Sequence, residues 1–194
     1  YISSFFSNNQ TANIASVRAG NVIGAGDWSE NRIIPDYFRA KISNIPLMIR
    51  NPNSTRPWQH VLEPLSGYMN LAQLLYEKGK RFQGGYNFGP FEKRSYTVLG
   101  LIKEFSKYDE LPEIDYGSSE KNLEAKFLNL DISKAKQELG WKPVLNFNDN
   151  VKYCIEGYLS DIAGYPSRKN RLELINNYTK LAKKRGLPWA RASS

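Results

Sequence analysis

The alternation of short apolar runs with amphipathic helical stretches constrains this chain more than any other feature. Residues 14–19 read as a short buried strand, and 20–30 as a glycine-containing loop. Over residues 32–44, Ile33, Ile34, Tyr37, Phe38 and Ile42 recur at helical spacing, with Pro35 tolerable in the first turn. Residues 47–49 form a brief strand, 51–55 carry turn chemistry, and 57–61 re-enter extended structure before a long helix over 62–78. A strand at 86–89, a helix over 96–107, a strand at 114–116 and a polar loop at 117–124 follow. Asp131 caps a short helix over 132–139 that Gly140 closes, and two helices over 147–162 and 168–185 finish the chain. Strands alternating with helices in this way predict an α/β fold with a helical appendage.

A chain of 194 residues with 41% hydrophobic and 24% charged residues buries an ordinary core, which excludes collagen-like and strongly disordered classes. The single cysteine, Cys154, shares an apolar helical pattern with Val151, Ile155 and Leu159 and is expected to be a small core residue. One cysteine supports neither a disulfide framework nor a cysteine-rich metal site. No long apolar run occurs, so no membrane span is expected. The start, Tyr1-Ile2-Ser3-Ser4-Phe5-Phe6, reads as the tail of a helix already under way, and the chain as a fragment. Asn-x-Ser/Thr triplets begin at Asn9, Asn53 and Asn177 and are taken as chance matches. The formal charge of +8 points to an anionic partner. Much of that excess, including Arg168, Arg171, Lys180, Lys184 and Arg191, spreads along a C-terminal helical pattern and is expected to be a solvated face.

Three segments have the residue types for ligand chemistry. In Arg18-Ala19-Gly20-Asn21-Val22-Ile23-Gly24-Ala25-Gly26-Asp27-Trp28, a strand end presents glycines, an amide and an indole, where a ligand approaches backbone closely or where the chain simply turns. Its Gly-x-x-x-Gly-x-Gly spacing differs from a dinucleotide fingerprint. Arg56 sits between a turn and Pro57-Trp58, and a guanidinium fixed there suits a pyrophosphate, which its planar fork grips bidentately. Asn87, in Tyr86-Asn87-Phe88-Gly89-Pro90, offers an amide at the carboxyl end of a strand. The lone histidine, His60, lies beside Trp58 and Val61 with no identifiable triad and is assigned to packing or hydrogen bonding. Tyr37-x-x-x-Lys41 and Tyr76-x-x-x-Lys80 match a spacing used by short-chain dehydrogenases, but each falls late on an amphipathic helix and is set aside.

In order, these segments, with Arg32-Ile33-Ile34-Pro35, Ile49-Arg50-Asn51-Pro52, Arg56-Pro57-Trp58-Gln59-His60-Val61-Leu62-Glu63 and Leu139-Gly140-Trp141-x-Pro143, resemble the CDP-glucose 4,6-dehydratase family. This is a nucleotide-sugar branch of the extended short-chain dehydrogenase/reductases. The resemblance implies the C-terminal part of a Rossmann-type enzyme with a smaller substrate-binding lobe. Residues 1–31 and 56–90 would complete the Rossmann domain, and 32–55 and 91–194 would build the lobe. It implies an NAD-dependent lyase, cytoplasmic and homo-oligomeric at full length, that removes water from CDP-glucose by internal redox. The catalytic tyrosine and lysine of that family lie upstream, so no catalytic residue is assigned and this chain alone is expected to be inactive. Ala19 and Gly20 are implied near the cofactor, and Asn21, Arg32, Arg50, Arg56 and Asn87 near the nucleotide sugar. Where the family's His-Glu-Ala is expected, Leu123-Glu124-Ala125 stands, which leaves Glu124 as a further substrate-side candidate. The competing expectations are a sister dehydratase or epimerase using a dTDP, GDP or UDP sugar, and a basic nucleic-acid-binding module that stacks bases on its tyrosines.

Overall fold

The computed structural model describes residues 12–90, 96–117, 128–165 and 167–191. The opening helix tail, the Asn9 triplet, most of the 117–124 loop and Glu124 lie outside the described residues. Among the described residues, no helix is long and apolar enough to cross a membrane.

Among the described residues, eight short strands and six α-helices make a mixed α/β structure. β1 (Ala15–Ala19) pairs in parallel with β6 (Gly84–Phe88), and β2 (Asn21–Ile23) pairs in parallel with β5 (Trp58–His60). β3 (Leu47–Met48) lies parallel to β8 (Ile114–Asp115), and β4 (Thr55–Arg56) antiparallel to β7 (Tyr96–Thr97). The chain steps from the first ladder to the second at Gly20. Gly20 N–H donates to Phe88 O at 3.1 Å, whereas the next amide, Asn21 N–H, donates to Pro57 O at 3.0 Å. Gln59, fully buried, braces the step by donating Nε2–H to the same Phe88 carbonyl at 2.9 Å. Only glycine fits at the crossing, because a Cβ there would lie 2.5 Å from Pro57 O.

The helices follow from the apolar periodicity and from local caps. α1 (Ile33–Ser43) buries Ile34, Tyr37, Phe38 and Ala40 and ends on Asn44, whose left-handed backbone returns its N–H to Ala40 and Lys41. α2 (Leu62–Lys78) and α5 (Phe147–Ile162) match the sequence periodicity to the residue. α3 (Val98–Phe105) is capped by Thr97, and α5 by Asn146, each side chain accepting from an amide three residues on. α4 (Ser133–Leu139) starts one residue later than expected. Asp131 still accepts from Ser133 N–H at 2.9 Å, and Gly140 closes the helix at φ +62. α6 (Ser167–Lys184) completes the set.

Among the described residues, three apolar cores result. Phe38, Leu101, Phe105, Ile155 and Tyr158 belong to one, shared by α1, α3 and α5. Leu71, Phe82, Phe88, Leu139 and Trp141 form a second, where α4 packs on β6 and α2. Val144, Leu145, Tyr178, Ala182 and Leu187 form the third. Glu63, fully buried at the start of α2, ties the second core to the third by accepting the N–H groups of Val144 and Leu145. The expectation of a buried strand at 14–19 is corrected. β1 is exposed from Ser16 to Arg18, because β6 alone flanks it among the described residues.

The α2–β6 contact leaves no space at Gly67, where an added Cβ would come within 2.2 Å of the Phe88 ring. Phe88 is itself locked between Tyr68 and Trp141 by edge-to-face contacts. Gly67→Ala is therefore expected to destabilise the chain by about 1–3 kcal/mol through overpacking, despite alanine's better helix propensity. A urea-denaturation midpoint equal to that of the wild type would contradict this.

Candidate functional site

Two adjoining clefts open where the carboxyl ends of β1 and β2 meet the first turn of α1. Parallel strands deliver ligand-binding loops at this end. The larger, about 570 Å³, is lined by the Ala19–Gly24 backbone edge together with Arg32, Arg56, Asp27, Trp58 and Tyr158. The smaller, about 170 Å³, is lined by Met48, Ile49, Arg50, Asn51 and Asp36. Asn31, Ile33 and Val98 border both.

Each side chain arrives by a local cause. Arg56 ends β4, with Pro57 stiffening the next step, and its Nη1–H donates to Thr55 O at 2.9 Å. Arg32 is the extended residue preceding α1, which aims it into the cleft 3.9 Å from Asp27. Asn21 opens β2 directly after the Gly20 crossing. Asp27 is fixed from several sides. Its Oδ1 accepts Ser29 N–H at 3.0 Å, and its carbonyl accepts the Tyr158 hydroxyl from α5. Arg39 holds the neighbouring carbonyls of Trp28 and Ser29 at 2.7 and 3.1 Å.

Hydrogen bonding from Ser29, then the nearby Arg32 and Arg39 charges, holds the Asp27 carboxyl below the ordinary aspartate range. Burial pushes the Tyr158 phenol up. Neither group is poised to exchange a proton near neutral pH, so the lining favours binding over acid–base chemistry. Two arginines in the larger cleft and a third beside it suit an extended anion with more than one phosphate.

Of the sequence-derived candidates, Ala19, Gly20, Asn21, Arg32 and Arg56 converge on the larger cleft, and Arg50 lines the smaller. Asn87 is not brought to either lining. Its Nδ2–H donates to Asp131 O at 3.0 Å, holding the approach to α4 against β6. Trp28 packs edge-on against Tyr158 with centroids 5.3 Å apart and is not among the cleft-lining residues. The remaining motifs are structural. Tyr37 donates its hydroxyl to Asp109, which also pairs with Lys41, and Tyr76 points to solvent. His60 is buried against Tyr153, and burial followed by the Arg171 charge lowers its pKa to about 4. Its ring is neutral in the fold, accepting Leu62 N–H at Nδ1. Cys154 is fully buried in the first core. The C-terminal cations mostly face solvent, but Arg171 turns inward to pair with Asp161.

Asp27, Asn31 and Tyr158 are lining residues that sequence reasoning did not single out individually. Asp27 closes the quoted glycine motif, and Asn31 stands at the junction of loop and helix. Tyr158 gives no local signal, being a core position of α5 that reaches back 131 residues to Asp27.

No protein-family model matches the chain. CDP-glucose 4,6-dehydratase from Salmonella typhimurium is 43% identical over 153 residues, which are 78% of this chain and 42% of that relative. The chain thus spans less than half the relative's length. Solved structures share the fold. UDP-glucuronic acid 4-epimerase from Bacillus cereus, in complex with UDP-glucuronic acid and NAD, superposes with a TM-score of 0.64 at 20% identity, over 79% of this chain and 47% of its own. dTDP-glucose 4,6-dehydratase from Bacillus anthracis, in complex with NAD, superposes with a TM-score of 0.59 at 16% identity, over 77% of this chain and 45% of its own. Over those 153 residues the chain is thus similar in sequence to CDP-glucose 4,6-dehydratase, and its fold is shared with the two NAD-complexed solved structures.

Proposed function

We propose that this chain is the sugar-nucleotide-binding portion of a CDP-glucose 4,6-dehydratase. The observation that carries the reading is the convergence of Arg56, Arg32 and Asn21 on one cleft, in a chain 43% identical to such an enzyme. Arg56 grips the diphosphate through its planar fork, Arg32 adds charge from the start of α1, and Asn21 supplies an amide to the sugar diphosphate. Arg50 serves the nucleotide from the adjoining cleft. Asn87 and Glu124 stay outside this core assignment, the first through its bond to Asp131 and the second because it falls beyond the described residues.

Bound NAD supplies a hydride acceptor and donor for the net loss of water from the hexose, giving CDP-4-keto-6-deoxyglucose. Among the described residues, this chain would offer that cofactor the Ala19–Gly20 edge at the end of β1, where the cleft opens. Gly20 owes its missing side chain to Pro57, so only its backbone faces the group. The reading assigns residues 1–31 and 56–90 to the cofactor domain and 32–55 and 91–194 to the substrate lobe. It also implies a homo-oligomeric cytoplasmic enzyme with no nucleic-acid partner. Full-length protein supplied with NAD and CDP-glucose is expected to form the 4-keto-6-deoxy product, with none formed by this chain alone. Absence of product from the full-length protein would overturn the assignment.

A further inference from the structure

Two non-glycine residues among those described adopt a positive φ, Asn31 at 62° and Asn44 at 51°. Asn44 is accounted for by its place at the end of α1, where the left-handed turn returns its amide to the helix carbonyls. Asn31 has no such duty. It stands one residue before the extended Arg32 that precedes α1, on the boundary shared by the two clefts. Glycine takes this conformation at lower cost than any other residue, and asparagine is among the few alternatives that tolerate it. A carboxamide here therefore needs a reason beyond the backbone. The side chain gives one, since Asn31 Oδ1 accepts from Arg50 Nη2–H at 2.5 Å, spanning 19 residues of sequence.

We infer that Asn31 is a positioning residue that aims the Arg50 guanidinium at the junction of the two clefts, for the nucleoside diphosphate part of the substrate. The inference rests on the nucleotide-sugar reading of the cleft. Arg50 is a long exposed side chain on a two-residue strand's margin, and without a partner it would sample many rotamers. The carboxamide engages one guanidinium nitrogen and leaves the rest of the fork for a ligand. The left-handed backbone at Asn31 lets one short stretch do two things, turning Arg32 into the larger cleft while its own side chain holds Arg50 beside the smaller.

Asn31→Gly separates the backbone role from the side-chain role, because glycine keeps the left-handed turn and removes the latch. With CDP as the probe on the full-length protein, the variant is expected to retain its thermal midpoint while Kd rises about five-fold, the scale of one solvent-accessible charge-assisted hydrogen bond. Arg50→Ala is expected to weaken CDP binding by at least as much, and Asn31→Gly to add nothing further on that background. Wild-type affinity in Asn31→Gly, or losses that simply add in the double variant, would overturn the inference while leaving the nucleotide reading intact. A wild-type protein that binds neither CDP nor CDP-glucose would instead overturn the nucleotide reading, and the latch with it.

Discussion

Replacing Glu63 by alanine is expected to lower the stability of the folded chain by about 3–5 kcal/mol, the scale of leaving several buried hydrogen-bond donors unsatisfied. Glu63 is fully buried, and its carboxyl oxygens accept Val144 N–H at 2.9 Å and Leu145 N–H at 2.5 Å. The Tyr178 hydroxyl lies 3.0 Å from Glu63 Oε2 and 3.0 Å from Ser66 Oγ, which also accepts Trp141 Nε1–H at 2.9 Å. Truncation strands two backbone amides and a phenol, each costly to leave unpaired in the interior. It also unties α2 from the segment leading to α5 and from α6. Burial raises the Glu63 pKa from an ordinary value near 4.5 to about 7, against the opposing pull of the amides, Tyr178 and the Arg185 charge. The folded chain therefore binds this proton more tightly than the unfolded chain. The associated stability is fully present below pH 4.5 and is lost as pH rises through 7, a change on the order of 3 kcal/mol. His60, whose lowered pKa adds stability as pH rises over the same range, offsets this in the wild type, so the wild-type urea midpoint should fall relative to that of Glu63→Gln between pH 4.5 and 8. Equal slopes for the two proteins would contradict the assignment.

Substituting Arg56 is expected to have the largest effect on ligand binding. Alanine removes both charge and fork, and nucleotide-sugar affinity should fall by about 100-fold, in keeping with the loss of a bidentate phosphate contact. Lysine keeps the charge but offers a point donor in place of a plane, so Arg56→Lys should still bind about ten-fold more weakly. Isothermal titration measures both losses. An Arg56→Lys protein with wild-type affinity would show that the guanidinium geometry is not what the cleft uses.

The fold was legible where the sequence pattern is long. Seventeen residues in α2 and sixteen in α5 carry several turns of apolar repetition, and their limits coincide with the pattern. The strands β2, β4 and β7 were not legible, because two or three residues hold no period and pair only through contacts distant in sequence. Site residues divide by source. Asn21 and Arg56 sit beside strand ends that the pattern marks, whereas Arg32 entered only through the family resemblance. Tyr158 reads as one more core aromatic, stacked on Phe38 at 4.2 Å, yet it lines the cleft and its hydroxyl donates to the Asp27 carbonyl. Asn87 illustrates the opposite case. A strand-terminal amide looks ligand-facing in sequence, whereas in the structure its Nδ2–H donates to the Asp131 carbonyl beside α4 and its Oδ1 has no hydrogen-bond partner among the described residues.

We propose that the cleft between β2 and α1 recognises a cytidine diphosphate sugar. This is tested most directly by calorimetric titration of the full-length protein with CDP-glucose, UDP-glucose, dTDP-glucose and GDP-mannose under one buffer and salt condition. CDP-glucose should bind most tightly, and Arg56→Ala should weaken all four ligands alike, because each carries the diphosphate that Arg56 grips. Tighter binding of any non-cytidine sugar nucleotide, or binding of none, would contradict the proposal.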